Sequence, residues 1–358
     1  MLRGVVVLLL LLASYLLFWP VPVAPQAWQA PPNPGYNGPY EENRRLQDLE
    51  VWPLDGLHGP EDIAVDQQGR VYASTGEGYI VRFSPQGELL ERWVQTGGRP
   101  LGIEFDASGN LIVADAYRGL LSIDSDGRID VLTDEVEGEA IRYADDLDIA
   151  QDGLIYFSDA SSKFGAEDFG GTFEASLLDI LEHGSHGRLL EFNPYTGNTR
   201  ILAEGINFAN GVAVSADQAA VLINETGKYR VLRVSRDSGS SGHVSVLVDN
   251  LPGFPDNLSL GQGGRYWVGL ISPRSPMLDE LSDYPFLRKV VQRLPAIMRP
   301  SAKAYGHVLA FDKEGRIVQN LQDPETAYSH MTGVTETDKH LYISSLMAEG
   351  LARIDKNF

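Results

Sequence analysis

Four oxygen-bearing side chains occupy equivalent positions in this chain: Glu61, Asp145, Asn210 and Asp256 each directly precede a short apolar segment. Carboxylate and amide oxygens are the ligands that calcium prefers, with about six to eight around each ion. The chain contains no Cys, and no His shares these positions, so the pattern disfavours zinc. The residue types therefore predict a calcium site, provided that the fold brings the four segments together.

The apolar segments belong to six sequence repeats, each with a short strand, a polar turn, a second strand and a third strand. A period of about 40–45 residues with short strands is typical of β-propeller blades. The first strand of a blade lies nearest the axis, so the residues before it should converge there. In chain order, these residues are Glu61, Leu101, Asp145, Asn210, Asp256 and Thr332.

The repeats therefore predict an all-β fold, a six-bladed β-propeller over residues 45–358. The sixth repeat ends after its third strand, and an open blade edge would be a liability. Residues 45–52 have strand character, and we expect them to complete the last blade and close the ring. The alternative, an open β-sandwich array, is disfavoured by six repeats in phase.

The first 20 residues consist of one Arg followed by an apolar run, as in a signal anchor or transmembrane helix. The cleavage context is poor, so we expect an uncleaved anchor with its basic end in the cytoplasm and the remainder exported to the periplasmic or extracytoplasmic side. Secretion after signal cleavage is the alternative. Residues 21–44 are rich in Pro, Asn and Gln and are predicted to be a linker.

Net charge and local turn chemistry limit the interpretation of the acidic residues. A net charge of −20 argues against a nucleic-acid partner, which would need clustered Lys and Arg. Asp and Asn before strands are also common turn residues, so any one of the four could be structural. Four in the same register favour a cation, because carboxylates clustered without one are costly.

Several stretches resemble a known family, among them GPEDIAVD (59–66), FANGVAVS (208–215) and LPGFPDNLS (251–259). They are similar to the strictosidine synthase-like family, which includes the adipocyte plasma membrane-associated proteins. The wider superfamily contains gluconolactonase/senescence-marker proteins and paraoxonases, which are calcium-dependent lactone and ester hydrolases. The resemblance covers residues 45–358 and implies the metal ligands Glu61, Asp145, Asn210, Asp256 and Asn257.

The sequence also departs from these relatives. Leu101 and Ala116 occupy the positions where paraoxonases carry their two active-site His residues. Thr332 occupies the position of the plant synthase's essential Glu. The resemblance therefore supports the metal site, but neither a His dyad nor a C–N bond-forming condensation.

A hydrolase at this site would need a general base. Asp256 or Asp145 is expected to serve as both ligand and base. Asp115 ends a second strand and is expected at the same mouth with Asp159 and Glu225, although a turn role is the simpler reading. His330, two residues before the register position, is a candidate acid or base.

Two long insertions join second to third strands and should lie on the metal face: residues 161–185 and 272–305. The second has helical apolar spacing, interrupted at Pro285 and Pro295, with basic residues on its polar side. It is predicted to be a helical lid. Residues 277–301 could instead form an interfacial helix that rests on the membrane.

The function predicted from these features is a calcium-dependent hydrolase of lactones or aryl esters, with a hydrophobic small-molecule substrate. The alternative is a non-catalytic, calcium-stabilised propeller that acts as a binding module. A strictosidine synthase-like enzyme that forms C–N bonds is a third possibility.

Overall fold

A computed structural model describes residues 2–236 and 242–356. The predicted domain bounds also include residues that lie outside this description: Met1, residues 237–241 and residues 357–358. Helix α1 (Leu2–Phe18) comes first, and strand β1 (Glu50–Pro53) precedes the first blade. Apart from two hairpin strands, all the described strands, β1 included, form six antiparallel four-stranded sheets, so the predicted six-bladed propeller is confirmed. A two-stranded hairpin of β10 (Glu135–Val136) and β11 (Glu139–Ala140) lies between blades two and three.

In each blade the strands follow one another in chain order from the axis outwards. Blade one contains β2 to β5, at Ile63–Val65, Val71–Ser74, Tyr79–Phe83 and Leu89–Gln95. Blade two contains β6 to β9, at Pro100–Phe105, Leu111–Asp115, Gly119–Ile123 and Ile129–Thr133. Blade three contains β12 to β15, at Ala144–Ile149, Ile155–Asp159, Gly187–Asn193 and Asn198–Ile206.

The second half repeats this order. Blade four contains β16 to β19, at Ala209–Val214, Ala220–Glu225, Arg230–Ser235 and Val244–Val248. Blade five contains β20 to β23, at Gly253–Leu260, Tyr266–Pro273, Gly306–Phe311 and Ile317–Asp323. Blade six contains β24 to β26, at Met331–Glu336, His340–Ser345 and Gly350–Asp355.

The ring closes as predicted, with a strand from the N-terminal side completing the last blade. Strand β1 pairs antiparallel with β26, with Trp52 opposite Leu351. Trp52 is buried between blades six and one, where its ring packs against Phe83 and Tyr342. Closure therefore depends on contacts between residues about 300 positions apart in the chain, anchored by one large aromatic side chain.

Both insertions are helical and lie over the same end of the propeller. Helix α2 (Thr172–Glu182) follows β13, and helices α3 (Pro276–Glu280) and α4 (Pro285–Arg293) follow β21. The predicted interruption at Pro285 is the start of α4, because proline fits the first turn of a helix. We call α3, α4 and the chain that follows them to residue 303 the lid.

The segment predicted as a linker, residues 21–44, is held against the lid and α2. The Ala24 amide donates to the Glu182 carboxylate over 2.6 Å, and Trp28 stacks on His183 with ring centres 4.1 Å apart. Arg274 donates to the Pro31 carbonyl over 2.6 Å. The N-terminal segment is therefore packed against the two helical insertions.

The predicted transmembrane segment, residues 1–20, is not supported. Helix α1 has 17 residues, and a span needs about 20 apolar residues. In the part of the chain that the structure describes, no helix combines the length and apolar character needed to cross a bilayer.

We predict that Trp52→Ala lowers the free energy of unfolding by about 3–5 kcal/mol, because it leaves a cavity at the seam that closes the ring. Val51→Ala, on the same strand with a side chain 48% exposed, is the matched control and should cost less than about 1 kcal/mol. Equilibrium denaturation measures both. Equal losses from the two variants would show that the seam is not anchored by Trp52.

Candidate metal centre

A β-bulge sets the direction of the axial side chains in five of the blades. The pairing register shifts across each predicted position: between Pro100 and Ile103, Ala144 and Leu147, Ala209 and Val212, Pro255 and Leu258, and Met331 and Val334. A bulge inserts an extra residue and re-aims the side chains beside it. In blade one the strand starts at Ile63, so Glu61 lies just before it. The positions that the sequence predicted to face the axis thus coincide with a β-bulge in these five blades.

Four of the predicted ligands line one cavity at the axis. Glu61, Asp145, Asn210 and Asp256 share this cavity, whose volume is about 100 Å³, with Leu101. The Asn210 amide nitrogen donates to Asp256 Oδ1 over 2.6 Å. Thr332 does not line the cavity, and its hydroxyl donates to the Glu61 carbonyl over 2.6 Å. We call this cavity the hub cavity.

The residues one position further along alternate around the ring between polar side chains and glycine. In chain order they are Asp62, Gly102, Asp146, Gly211, Asn257 and Gly333. A Cβ on Gly102 would lie 2.7 Å from the Asp146 Cα, and one on Gly211 would lie 2.4 Å from the Asp256 carbonyl oxygen. The axis therefore has room for a side chain from every second blade only.

Those polar side chains link the blades to one another. Asp146 Oδ2 accepts from the amides of Val212 and Leu258, which belong to blades four and five. Asp62 accepts from the Ile103 amide over 2.8 Å. The Asn257 amide nitrogen donates to the Glu61 carbonyl over 3.0 Å. This second ring of residues fixes the backbone from which the cavity-lining ring projects.

The hub carboxylates destabilise one another's charged forms. Burial, and next the charge of Asp256, raise the pKa of Glu61 well above its usual range. Burial, followed by the charge of Glu61, does the same to the pKa of Asp145. Burial raises the pKa of Asp256 to about 7, against the hydrogen bond from Asn210. Without a cation, these groups are held together at an electrostatic cost.

Several buried oxygens at the hub have no hydrogen-bond partner, which is the observation that fits a hard cation. They are Glu61 Oε2, Asn210 Oδ1, Asn224 Oδ1 and Asn257 Oδ1. Within residues 2–236 and 242–356, no three His, Asp or Glu side chains alone form a metal-binding group. The donor set is instead mixed, with carboxylates and neutral amides, and calcium accepts both kinds of oxygen.

The other two predicted catalytic residues lie outside the cavity lining. His330 sits behind it, with its ring nitrogen 3.0 Å from the Ser329 hydroxyl, and burial lowers its pKa. Asp115 is fully buried, and its Oδ1 accepts from the backbone amides of Arg99, Tyr117 and Arg118. Neither contributes a side chain to the hub cavity.

Asp115 has counterparts that do the same work in the next two blades. Asp159 accepts from the Tyr143 amide and Glu225 from the Asn207 amide, each over 3.0 Å. These three acids end second strands, as predicted, but they hold the loops that enter the neighbouring inner strands and do not ring the mouth. They are positioning residues, because each fixes the backbone two or three residues before a hub side chain.

The remaining walls of the hub cavity are mainly apolar and come largely from the two insertions. Helix α2 contributes Phe173, Leu177 and Ile180, and the lid side contributes Ile271, Leu278 and Ala302. Blade residues complete the lining with Tyr143, Phe208, Phe254 and Leu346. The insertions therefore lie on the face expected for them. The helix in the first insertion had not been predicted.

The fold and the site define the class of this protein: it is a closed six-bladed propeller with oxygen donors on its axis and helical insertions over one end. Similarity to known proteins identifies its family. The strictosidine synthase family model matches residues 145–236, and the strictosidine synthase-like N-terminal model matches residues 38–83. The chain is 35% identical to the protein strictosidine synthase-like 6 of Arabidopsis thaliana, over 88% of this chain and 84% of that protein. It is 31% identical to the adipocyte plasma membrane-associated protein of Salmo salar, over 99% of this chain and 88% of that one. The chain belongs to the strictosidine synthase-like family.

Solved structures share the fold at lower identity. A gluconolactonase from Xanthomonas campestris superposes with a TM-score of 0.63 at 18% identity, covering 87% of this chain and 91% of that one. A calcium-binding regucalcin from Agrobacterium tumefaciens gives a TM-score of 0.57 at 14% identity, covering 86% and 94%. These likenesses establish the six-bladed architecture.

We predict that Asp256→Asn stabilises the protein in the presence of a chelator, increasingly so as the pH rises. A carboxyl whose pKa is raised to about 7 on folding adds stability below its unfolded pKa of about 4, and this contribution is lost as the pH rises through about 7. The neutral amide avoids that loss. Melting temperatures between about pH 5 and about pH 8 measure the difference.

Asp130→Asn, which removes an exposed carboxylate from blade two, is the control and should show no such pH trend. A difference between Asp256→Asn and the unsubstituted protein that stays constant over this pH range would contradict the raised pKa of Asp256.

Proposed function

We propose that this protein is a calcium-dependent hydrolase of hydrophobic lactones or aryl esters. The observation that carries the proposal is the hub cavity itself, where carboxylate and amide oxygens from four blades face a space with apolar walls. Two structural neighbours, a gluconolactonase and a calcium-binding regucalcin, are consistent with this chemistry.

Glu61, Asn210 and Asp256 would hold the ion, with Asp145 as a further ligand. Asn257 does not line the cavity, but it carries a buried unpartnered oxygen beside Glu61 and would be the fifth ligand. Three of these five residues carry a buried oxygen without a hydrogen-bond partner: Glu61, Asn210 and Asn257. Calcium held by these residues would supply the positive charge needed to polarise a substrate carbonyl and to stabilise the negative charge that develops on its oxygen.

The chain itself supplies the proton acceptor. Asp256 and Asp145 both line the cavity, and either can take a proton from an attacking water molecule. Asp256 is oriented by the amide of Asn210, which donates to one of its two oxygens and leaves the other available. Asp115 and His330 have no place in this proposal, because neither lines the hub cavity.

The cavity walls favour an apolar substrate over a sugar lactone. Three of the hydroxyls that line the cavity already donate to backbone carbonyls: Ser176 to Phe173, Ser272 to Pro273 and Thr226 to Pro255. A polyhydroxylated ring would therefore lose hydrogen bonds to water without replacement. An aryl or alkyl group would gain from burial against Phe173, Leu177 and Phe254.

A second function is favoured by one specific observation. Leu101 lines the hub cavity, and Ala116 is buried in the adjoining apolar cluster. Neither position therefore has a His side chain that could act as an acid or base. A propeller that binds calcium and a hydrophobic ligand without turnover would need no further acid or base. We keep this binding module as the alternative.

The test is a panel of aryl esters, hydrophobic lactones and a sugar lactone, measured with calcium and after chelation. We expect hydrolysis of the hydrophobic substrates, its loss on chelation, and a decrease of at least about a hundredfold in kcat/KM for Asp256→Asn and Asn210→Ala. Asp130→Asn is the control and should retain full activity.

Turnover that survives both chelation and Asp256→Asn would contradict the proposed mechanism. Calcium that raises the melting temperature of the unsubstituted protein, but not of Asn210→Ala, without hydrolysis of any substrate, would establish the binding module instead.

A further inference from the structure

The outer surface of the lid carries large apolar side chains that no part of the described chain covers. Ile297 is 94% exposed, and Met298, Tyr284 and Phe286 are each more than half exposed. Leu287 is 42% exposed. These residues lie within 15 positions of one another in the chain. Large exposed apolar side chains grouped in one short segment of this kind mark a contact surface.

Basic residues accompany this apolar patch. Residues 285–303 contain five Lys or Arg and no Asp or Glu, and the lid as a whole is still net basic when Asp279, Glu280 and Asp283 are included, in a chain whose net charge is −20. Lys303 is exposed, and Lys289 and Arg299 are half-buried. Bulky apolar side chains among basic ones suit the boundary between lipid headgroups and acyl chains when the lipids are anionic.

The other two basic residues join the lid to the N-terminal part of the chain, Arg293 to the end of α1 and Arg288 to the segment that follows it. Arg293 is buried and donates to the carbonyls of Trp19, over 2.6 Å, and Leu16, over 3.1 Å. Arg288 is also buried and donates to carbonyls of the N-terminal segment, of α2 and of Ser282. The basic residues predicted for the polar side of a helix thus fall into two groups: Arg288 and Arg293 are buried and hydrogen-bonded, and the other three reach solvent.

These hydrogen bonds make α1 continuous with the apolar patch of the lid. None of the residues of α1 is buried, although the helix is almost wholly apolar. A helix that is apolar on all sides is not stable in water and needs an apolar environment. Helix α1 and the lid therefore require the same apolar covering, which a lipid bilayer supplies to both.

We propose that the outer face of the lid, together with α1, docks on an anionic lipid bilayer. The mouth of the hub cavity then lies close to the acyl chains, because Pro300, Ser301 and Ala302 line that cavity within four residues of Met298. The docking surface does not depend on hydrolysis at the hub; delivery of an apolar substrate from the bilayer rests on the proposed function.

The absence of Cys from the sequence allows an unambiguous test with single probes. The full chain is reconstituted in vesicles with a fluorophore on Ile297→Cys or, as a control, on Tyr195→Cys. Tyr195 is 77% exposed in the turn between β14 and β15, at the end of the propeller opposite α2 and the lid. Quenching by spin labels on the lipid acyl chains reports the depth of each probe.

In vesicles that contain phosphatidylglycerol, we expect the probe at position 297 to be quenched several-fold more strongly than the probe at position 195. Lys289→Glu with Lys303→Glu should lower the quenching at 297 towards that at 195, because these two side chains face anionic headgroups. An unchanged melting temperature would exclude misfolding of this variant.

Equal quenching at the two positions would overturn the proposal. A second result would also overturn it: protection of the 297 probe from iodide quenching without lipid, increasing with protein concentration. That result would show that a second copy of the chain, and not a bilayer, covers the lid. Hydrolytic activity is not part of this readout, so its outcome is independent of the proposed function.

Discussion

The mutual repulsion of buried carboxylates at the propeller axis is the constraint on which the rest of this structure depends. Glu61, Asp145 and Asp256 come from three different blades and share one small cavity. Separating charges from water is costly unless an opposite charge or a proton compensates. A bound divalent cation would turn this repulsion into a link among the blades that supply its ligands. The same oxygens would then serve both stability and chemistry.

The hub works because the backbone is fixed at two levels. The cavity-lining ring is aimed by bulges, and the following ring alternates side chains with glycines that allow close approach. Asp146 contacts the amides of two other blades, so its position couples three of the six sheets. Buried acids such as Asp115 and Asp159 fix the loops that lead into the inner strands. The candidate ligands, which come from distant parts of the chain, are thereby held in one geometry.

Much of this arrangement could be predicted from local sequence, and some could not. The repeat, the closing strand and the axial register follow from apolar segments that recur in the sequence of every blade. The sequence leaves the role of Asp115 open between the mouth and a turn, because a strand-end carboxylate looks the same whether it faces a cavity or a backbone amide; in the structure Asp115 accepts from backbone amides. The burial of Arg288 depends on a contact with Gln26, 262 positions away, which leaves no local pattern.

The most direct measurement is a crystal structure of the protein grown with calcium, with anomalous diffraction used to locate the ion. Calcium binding at the hub predicts one axial peak with Glu61, Asn210 and Asp256 oxygens at about 2.3–2.6 Å, the distance that calcium requires. A hub that contains only water, with the carboxyl groups protonated and hydrogen-bonded to one another, would contradict it.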